Sequence, residues 1–346
     1  MAIAAAPATR SHERYAVSVE EYVRFRDQGF LVVRGLVAPS EVDELRAHTD
    51  DIIHQRIDLP GAPAAPLASS GPGHSSILDP TVLSAIERRY VRIHMLHREL
   101  EIHERFLLHP RILDVLEALT GPDLLAMQTM LFLKPPASDG QGYHQDSYYI
   151  PTLPDSLCGA WLAIDPADEA NGCMHFAVGS QCEPIYPDAD NRRGHYPLGE
   201  LQDLTIIDNA SDTDETRNGL APIARRYEPR WQTVPADPGD VVFFAGHVVH
   251  WSYANRTRDR FRRSFVGHYC NARSFTQWGG GNAAHILARG GTHLPYAQPR
   301  FGTPCAANQP RTAAPVAPAP TMMAAEGLML ATPTDAERLD PSAHDH

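Results

Sequence analysis

Two histidines and a carboxylate brought to one point make a metal site, so the 18 histidines are most telling where one lies two residues from an aspartate. That spacing occurs at His48-Thr49-Asp50 and at His144-Gln145-Asp146. Chance alone gives about one such pair, so context has to separate them, because the spacing brings side chains together only in strands. His48 and Asp50 fall in a helical pattern, where positions two apart diverge around the axis, and they are expected on the surface. His144 follows Gly140 and Gly142 and leads into Ser147-Tyr148-Tyr149-Ile150. It is predicted to begin a strand on which His144 and Asp146 share a face and point at one ion. The alternative for an isolated pair of this kind is a strand-end hydrogen bond.

A third ligand is sought in Pro238 to Ser252, where a Gly-Asp turn leads into the apolar strand Val241 to Ala245 and a histidine ends it, His247 and His250 both being present. Two histidines and one carboxylate leave three coordination positions open, as in the non-haem Fe(II) oxygenases. Zinc is the competing ion, although a catalytic zinc site keeps one position for water. Further on, Arg262, Ser264 and Val266 alternate onto one strand face and Arg263 and Phe265 onto the other. An inward arginine is costly to bury unless an anion meets it, and a dicarboxylate held by a two-pronged guanidinium contact supplies one. Arg256, Arg258 and Arg260 read as a solvated strand edge.

The elements that must position these groups follow from pattern. Glu21 sits three residues after Ser18 in a capping-box arrangement, Tyr22 and Phe25 recur at helical spacing, and Gly29 stops the helix. Phe30 to Val33 is a strand candidate, and Pro39-Ser40-Glu41 begins a helix carrying Val42, Leu45, Ile52 and Ile53. Leu100 to Thr120 is helical with a break at Pro110. From Leu124 onward, short runs rich in Val, Phe, Tyr, Trp and Thr alternate with Gly, Pro, Asn and Asp, the signature of a sandwich or barrel. The fold class is therefore mainly β with flanking helices.

Composition sets outer bounds. The 346 residues are read as one domain over 1–305, followed by an Ala/Pro/Thr-rich stretch over 306–346 expected to be disordered. A net charge of −12 with no dense Lys/Arg stripe argues against a nucleic-acid partner. No apolar run approaches the roughly 18 residues of a membrane span, and Met1 to Arg10 lacks the basic start of a secretory signal. Five cysteines without a C-x-x-C pair argue against a disulfide framework and a cysteine-zinc site, and a cytoplasmic location is expected.

Several of these pieces, in order, resemble the phytanoyl-CoA dioxygenase family: Lys134-Pro135-Pro136, Tyr143-His144-Gln145-Asp146-Ser147-Tyr148-Tyr149, Trp161 to Asp165, Glu169-Ala170-Asn171-Gly172-Cys173, Gly179-Ser180, and His250-x-Ser252 with Asn255 and Arg262-Arg263. The resemblance spans Val19 to Tyr269. It implies a double-stranded β-helix, the cupin-like jelly roll, and an oxygenase that uses Fe(II), 2-oxoglutarate and O2 on a small-molecule substrate. Carried over by position, the iron ligands are His144, Asp146 and His250, His247 being set aside. Arg262 pairs with the far carboxylate of 2-oxoglutarate, helped by Ser252 and Ser264. Gln128, Thr129 and Lys134 line the pocket, and Trp161 packs beside the co-substrate. The implied reaction converts 2-oxoglutarate to succinate and CO2 and oxidises a substrate C–H bond. The Asp146 carboxylate favours hydroxylation, or another oxidation such as desaturation, over halogenation, which needs its place vacant.

Three departures qualify the match. Arg262 follows His250 by 12 positions, one more than the family pattern, which brings Arg260 and Arg263 into contention; Arg262 alone shares its phase with Ser264. Val178-Gly179-Ser180-Gln181 replaces a Pro-Gly-Ser-His ending and is expected to alter a loop. Gly279 to Cys305 lies beyond the family core and is a candidate cover for the pocket mouth, as Asp188 to Arg230 is a candidate lid. The rival readings are a non-catalytic jelly roll and a zinc-dependent hydrolase on the same residues. The substrate and the oligomeric state are not legible.

Overall fold

Ser18 is extended and its hydroxyl accepts from the Glu21 N–H, while the Glu21 carboxylate accepts from the Ser18 N–H at 2.8 Å. This reciprocal cap starts helix α1 (Val19–Gln28), and Gly29, at φ 85°, ends it in a left-handed conformation that glycine adopts without penalty. Of the two apolar positions expected to face inward, Phe25 is buried and Tyr22 is exposed. Strand β1 (Phe30–Val33) follows directly, and Pro39 opens α2 (Pro39–Ile53), which buries Val42, Leu45 and Ile52. The helical stretch is broken at Pro110 as expected, giving α3 (Glu101–Leu107) and α4 (Pro110–Thr120). The computed structural model describes residues 13–54, 56–57, 91–186, 207–276, 278, 285–290, 297 and 299–301. They belong to one unit, Met1–Pro310; the stretch expected to be disordered lies outside the described residues, as does the start of the chain.

The β residues form a sandwich. In the larger sheet, β1, β8 (Val241–Ala245), β5 (Cys158–Ala163), β10 (Arg262–Asn271), β3 (Leu124–Lys134) and β11 (Ile286–Arg289) lie in that order, and β2 (Val91–His94) also pairs with β3. The smaller runs β4 (Gln141–His144), β9 (His250–Ser252), β6 (Met174–Ala177), β7 (Trp231–Val234). All pairs are antiparallel, and the chain crosses between sheets repeatedly, which makes this the jelly roll that the sequence led us to expect. Leu131, Leu162, Phe243 and Phe265 on one face of the large sheet pack against α1 to α4 in one core cluster. Met130, Phe132, Trp161, Val266 and Phe244 on the other face meet Phe176 and Met174 of the small sheet. No helix among the described residues is long and apolar enough to cross a membrane.

The helical layer also buries His103, at 0% exposure and with neither ring nitrogen hydrogen-bonded. Burial holds its pKa well below the ordinary value, with His48 and His97 adding to the effect, and burial lowers His48 as well. The unfolded chain takes up protons below about pH 6.5 that the folded chain refuses, so stability falls as pH drops through that value. We expect the unfolding midpoint of the metal-free protein to decline between pH 7 and 5 with an uptake of several protons, of which His103 and His48 contribute up to about two. The His103→Leu variant should show a shallower slope. A midpoint independent of pH across that window contradicts the burial of these rings.

Candidate metal centre

Strands β4 and β9 pair so that His144 lies directly opposite His250, with ring centroids 4.0 Å apart. Side chains opposite each other in an antiparallel pair share a face, so the ladder itself delivers two imidazoles to one point. The expected strand through Asp146 ends sooner than predicted. Gln145 is still extended (φ −120°, ψ 129°), which carries the alternation one step further, and Asp146 then starts the one-turn helix α5 (Asp146–Tyr149). Its closing bond runs from the Ile150 N–H to the Asp146 carbonyl at 2.9 Å. Asp146 Oδ1 therefore lies 3.6 Å from His144 Nε2 and 3.8 Å from His250 Nε2. Among the described residues this is the one group of three metal-capable side chains with ligand atoms within 4.8 Å of each other.

The protonation states suit a divalent cation. His144 Nδ1 lies 2.8 Å from the Gly142 carbonyl and His250 Nδ1 3.0 Å from that of Val248, so each Nδ1 carries its proton and donates to a main-chain oxygen. Each Nε2 lone pair is then turned toward Asp146. Burial, with His250 beside it, pushes His144 down to about 3, and burial lowers His250 too. Burial opposes ionisation of Asp146, yet His250, His268 and His144 around it hold its pKa below the ordinary carboxylate value. Neutral imidazoles and an ionised carboxylate are the forms that bind metal, so the donor set fits a hard or borderline divalent ion. Gln141 reaches the same point, with Nε2 3.0 Å from His144 Nε2.

His247 is elsewhere. Its Nδ1 is 2.9 Å from the Glu183 carbonyl, and its Nε2 faces Asp155 at 3.5 Å. The apolar strand β8 does not itself run to the third histidine, as the sequence suggested. It stops at Ala245, the chain crosses between sheets over residues 246–249, and His250 opens β9. The Val178 to Gln181 loop braces this crossing: Ser180 Oγ accepts from the Val249 N–H at 2.8 Å, and Gln181 Nε2 donates to the Arg26 carbonyl at 2.8 Å.

Of the three arginines in contention, Arg262 alone enters the pocket. It is buried, donates from Nη1 to Ser264 Oγ at 3.0 Å, and lies over the Trp161 ring at 5.7 Å. Lys134, its cross-strand partner, donates to Ser252 Oγ at 3.1 Å and to the Tyr253 carbonyl. Burial and the neighbouring Arg262 push Lys134 down to about 6. The buried Arg262 guanidinium, beside an amine that regains its charge when an anion joins it, makes a receptor for an anion. Met130, Phe132, Trp161, Met174, Phe244 and Val266 supply the apolar walls, and Ser252, Arg262, His268 and Gln141 the polar ones.

Arg263 faces the helices and grips Asp165 with Nε and Nη2 at 2.7 and 2.8 Å, with Nη1 on Asp50. Arg260 pairs with Asp168 at the surface. The expectation that His48 and Asp50 are plain surface residues is corrected, because Asp50 anchors Arg263 and half-buried His48 lies 5.1 Å from the His103 ring. Removing the Arg263 guanidinium leaves the buried Asp165 carboxylate with the Arg263 N–H at 3.0 Å and Arg46 Nε at 3.5 Å in place of a two-pronged grip. The Arg263→Met variant should therefore lose about 2 kcal/mol of stability in chemical denaturation while keeping its affinity for a pocket anion.

Two residues expected to line the pocket do not. Thr129 points to the opposite face, where its hydroxyl meets His97 Nδ1 at 3.1 Å, and Gln128 lies behind His268, with Nε2 3.0 Å from its Nδ1. Their strand is buried on both faces along its whole length, so no polar alternation marked which side was which. His268, whose Nε2 lies 2.8 Å from Asp146 Oδ2, was missed; the alternation through Arg262, Ser264 and Val266, carried one step further, points to it. Residues 207–230 of the supposed lid pack Ile207, Leu220 and Ile223 against Tyr143 and Trp251 on the outer face of the small sheet. Residues 187–206 of that segment, and most of 279–305, lie outside the described residues.

A family model described as phytanoyl-CoA dioxygenase (PhyH) matches residues 25–264. Peroxisomal phytanoyl-CoA dioxygenase of Rattus norvegicus is 29% identical over 262 residues, covering 73% of this chain and 68% of the relative. A probable phytanoyl-CoA dioxygenase of Caenorhabditis elegans is 27% identical over 269 residues, covering 75% and 78%. Among solved structures, the non-heme alpha ketoglutarate dependent carbocyclase SnoK from nogalamycin biosynthesis superposes with a TM-score of 0.54 at 20% identity, covering 75% of this chain and 86% of that one. EctD from S. alaskensis with 2-oxoglutarate and 5-hydroxyectoine gives 0.51 at 18% identity, covering 73% and 76%. These two likenesses are of fold.

Proposed function

The chain belongs to the phytanoyl-CoA dioxygenase family, and from that premise we propose that it is a 2-oxoglutarate-dependent oxygenase that hydroxylates a C–H bond of a small-molecule substrate. The observation that carries this reading is the convergence of His144, Asp146 and His250, both imidazoles tied at Nδ1 to the main chain. In it these three residues hold Fe(II) and leave three positions open. Arg262, assisted by Ser264, Ser252 and Lys134, takes the far carboxylate of 2-oxoglutarate, and Trp161 packs beside it. Met130, Phe132, Phe244 and Val266 keep water from the reacting centre. When bound, Fe(II) with 2-oxoglutarate and O2 supplies the oxidant that delivers one oxygen to the substrate and leaves succinate and CO2.

Arg262 favours this reading over a zinc hydrolase or a non-catalytic jelly roll, since neither gives its burial beside Lys134 a purpose. Succinate formation tests it: Fe(II)-dependent release of succinate from 2-oxoglutarate supports the oxygenase. Turnover of esters or amides supported by Zn(II) without 2-oxoglutarate overturns it. No residue of the described pocket calls for a thioester, so the substrate class is left to a screen coupled to succinate release.

A further inference from the structure

We propose that His268, held in place by Gln128, is a positioning residue that keeps Asp146 a one-oxygen ligand. This deepens the oxygenase reading and rests on it. The two oxygens of Asp146 have different surroundings. Oδ1 faces the Nε2 atoms of His144 and His250, whereas Oδ2 is engaged by His268 Nε2 at 2.8 Å. Gln128 and His268 are direct cross-strand partners on β3 and β10, both almost fully buried, with Gln128 Nε2 3.0 Å from His268 Nδ1. A register shift between His268 and Tyr269 follows at once, a local irregularity of the kind that aims a side chain beside an active site.

The hydrogens can be placed by elimination. If the Gln128 amide nitrogen donates, Nδ1 accepts, the imidazole proton sits on Nε2, and it is donated to Oδ2. If the carboxamide is turned over, its oxygen accepts from Nδ1–H, and Nε2–H can then donate to Oδ2 only with both ring nitrogens protonated. Either way Oδ2 is occupied by a ring whose far side is itself tied down. The consequence is a matter of coordination number. Two imidazoles and one oxygen leave three of six positions open, whereas a carboxylate that swings to bind through both oxygens closes one of them. A chelating 2-oxo acid needs two positions and O2 the third, so a donor locked onto Oδ2 protects the capacity of the site.

Anaerobic titration with Co(II) as a visible-absorbing probe, followed by 2-oxoglutarate, tests this in the full chain. The His268→Ala variant is expected to bind Co(II) or 2-oxoglutarate at least about tenfold more weakly, with an altered Co(II) spectrum before 2-oxoglutarate is added. The His268→Gln variant keeps an N–H donor and should return to within about threefold of wild type, and Gln128→Met should fall between. Should His268→Ala fail to fold, the Gln128→Met and His268→Gln pair gives the same contrast. An unchanged Co(II) spectrum and unchanged affinities in His268→Ala and Gln128→Met overturn the proposal. So does a His268→Gln variant as weak as His268→Ala. Wild-type protein that takes up neither Co(II) nor Fe(II) overturns the metal reading, and this proposal with it.

Discussion

Replacing Asp146 with alanine is expected to lower Fe(II)-dependent succinate formation by more than about 100-fold, beyond the range typical of changes one shell removed from a metal. The reason lies in what the carboxylate faces. It is the single anion among three buried nitrogen bases, with His144 and His250 at 3.6 and 3.8 Å and His268 at 2.8 Å. Without it the ion would lose one of three protein donors and the charge that offsets its own. Two neutral imidazoles retain a divalent ion weakly, so iron content after gel filtration should fall with activity. Loss of both together marks a ligand, whereas full activity with normal iron content in Asp146→Ala contradicts the assignment.

The second large effect is on the co-substrate. The Arg262→Ala variant should raise the KM for 2-oxoglutarate on the order of 30- to 1000-fold, the equivalent of about 2–4 kcal/mol for truncating one partner of a buried charge pair. Arg262→Lys should recover part of this, because it restores charge without the planar fork. The Fe(II) affinity of both variants should stay near wild type, since Arg262 is held by Ser264 and Trp161 rather than by the triad. Arg263→Met is the internal control: it sits one residue away on the opposite face and should change stability and leave KM alone. A KM shifted equally by both substitutions would mean that the strand, not the guanidinium in the pocket, was disturbed.

How much of this was legible in the sequence depends on the range of the interaction. Ser18, Glu21 and Gly29 act within one helix, so the bounds of α1 follow from local chemistry. The phase of Arg262 against Arg263 also follows from the period of two, and the fold bears it out. His144 opposite His250 is a different case, because the pairing joins strands 106 positions apart and depends on a crossing between sheets that no local pattern announces. There the choice of His250 over His247 came from the family resemblance. Thr129 is assigned to the pocket only through the family resemblance, and β3, buried along its whole length, has no polar face that corrects it. The helical phase of His48 and Asp50 says only that the two diverge around the axis; their partners, His103 and Arg263, are supplied by other elements.

The most direct test of the central claim is an anaerobic visible-absorption titration of the metal-free protein with Fe(II) and then 2-oxoglutarate, with Arg262→Ala alongside. The account predicts a weak charge-transfer band that forms only with both additions and that requires far more 2-oxoglutarate in the variant. No band in the wild type, together with tight Zn(II) binding, would contradict it.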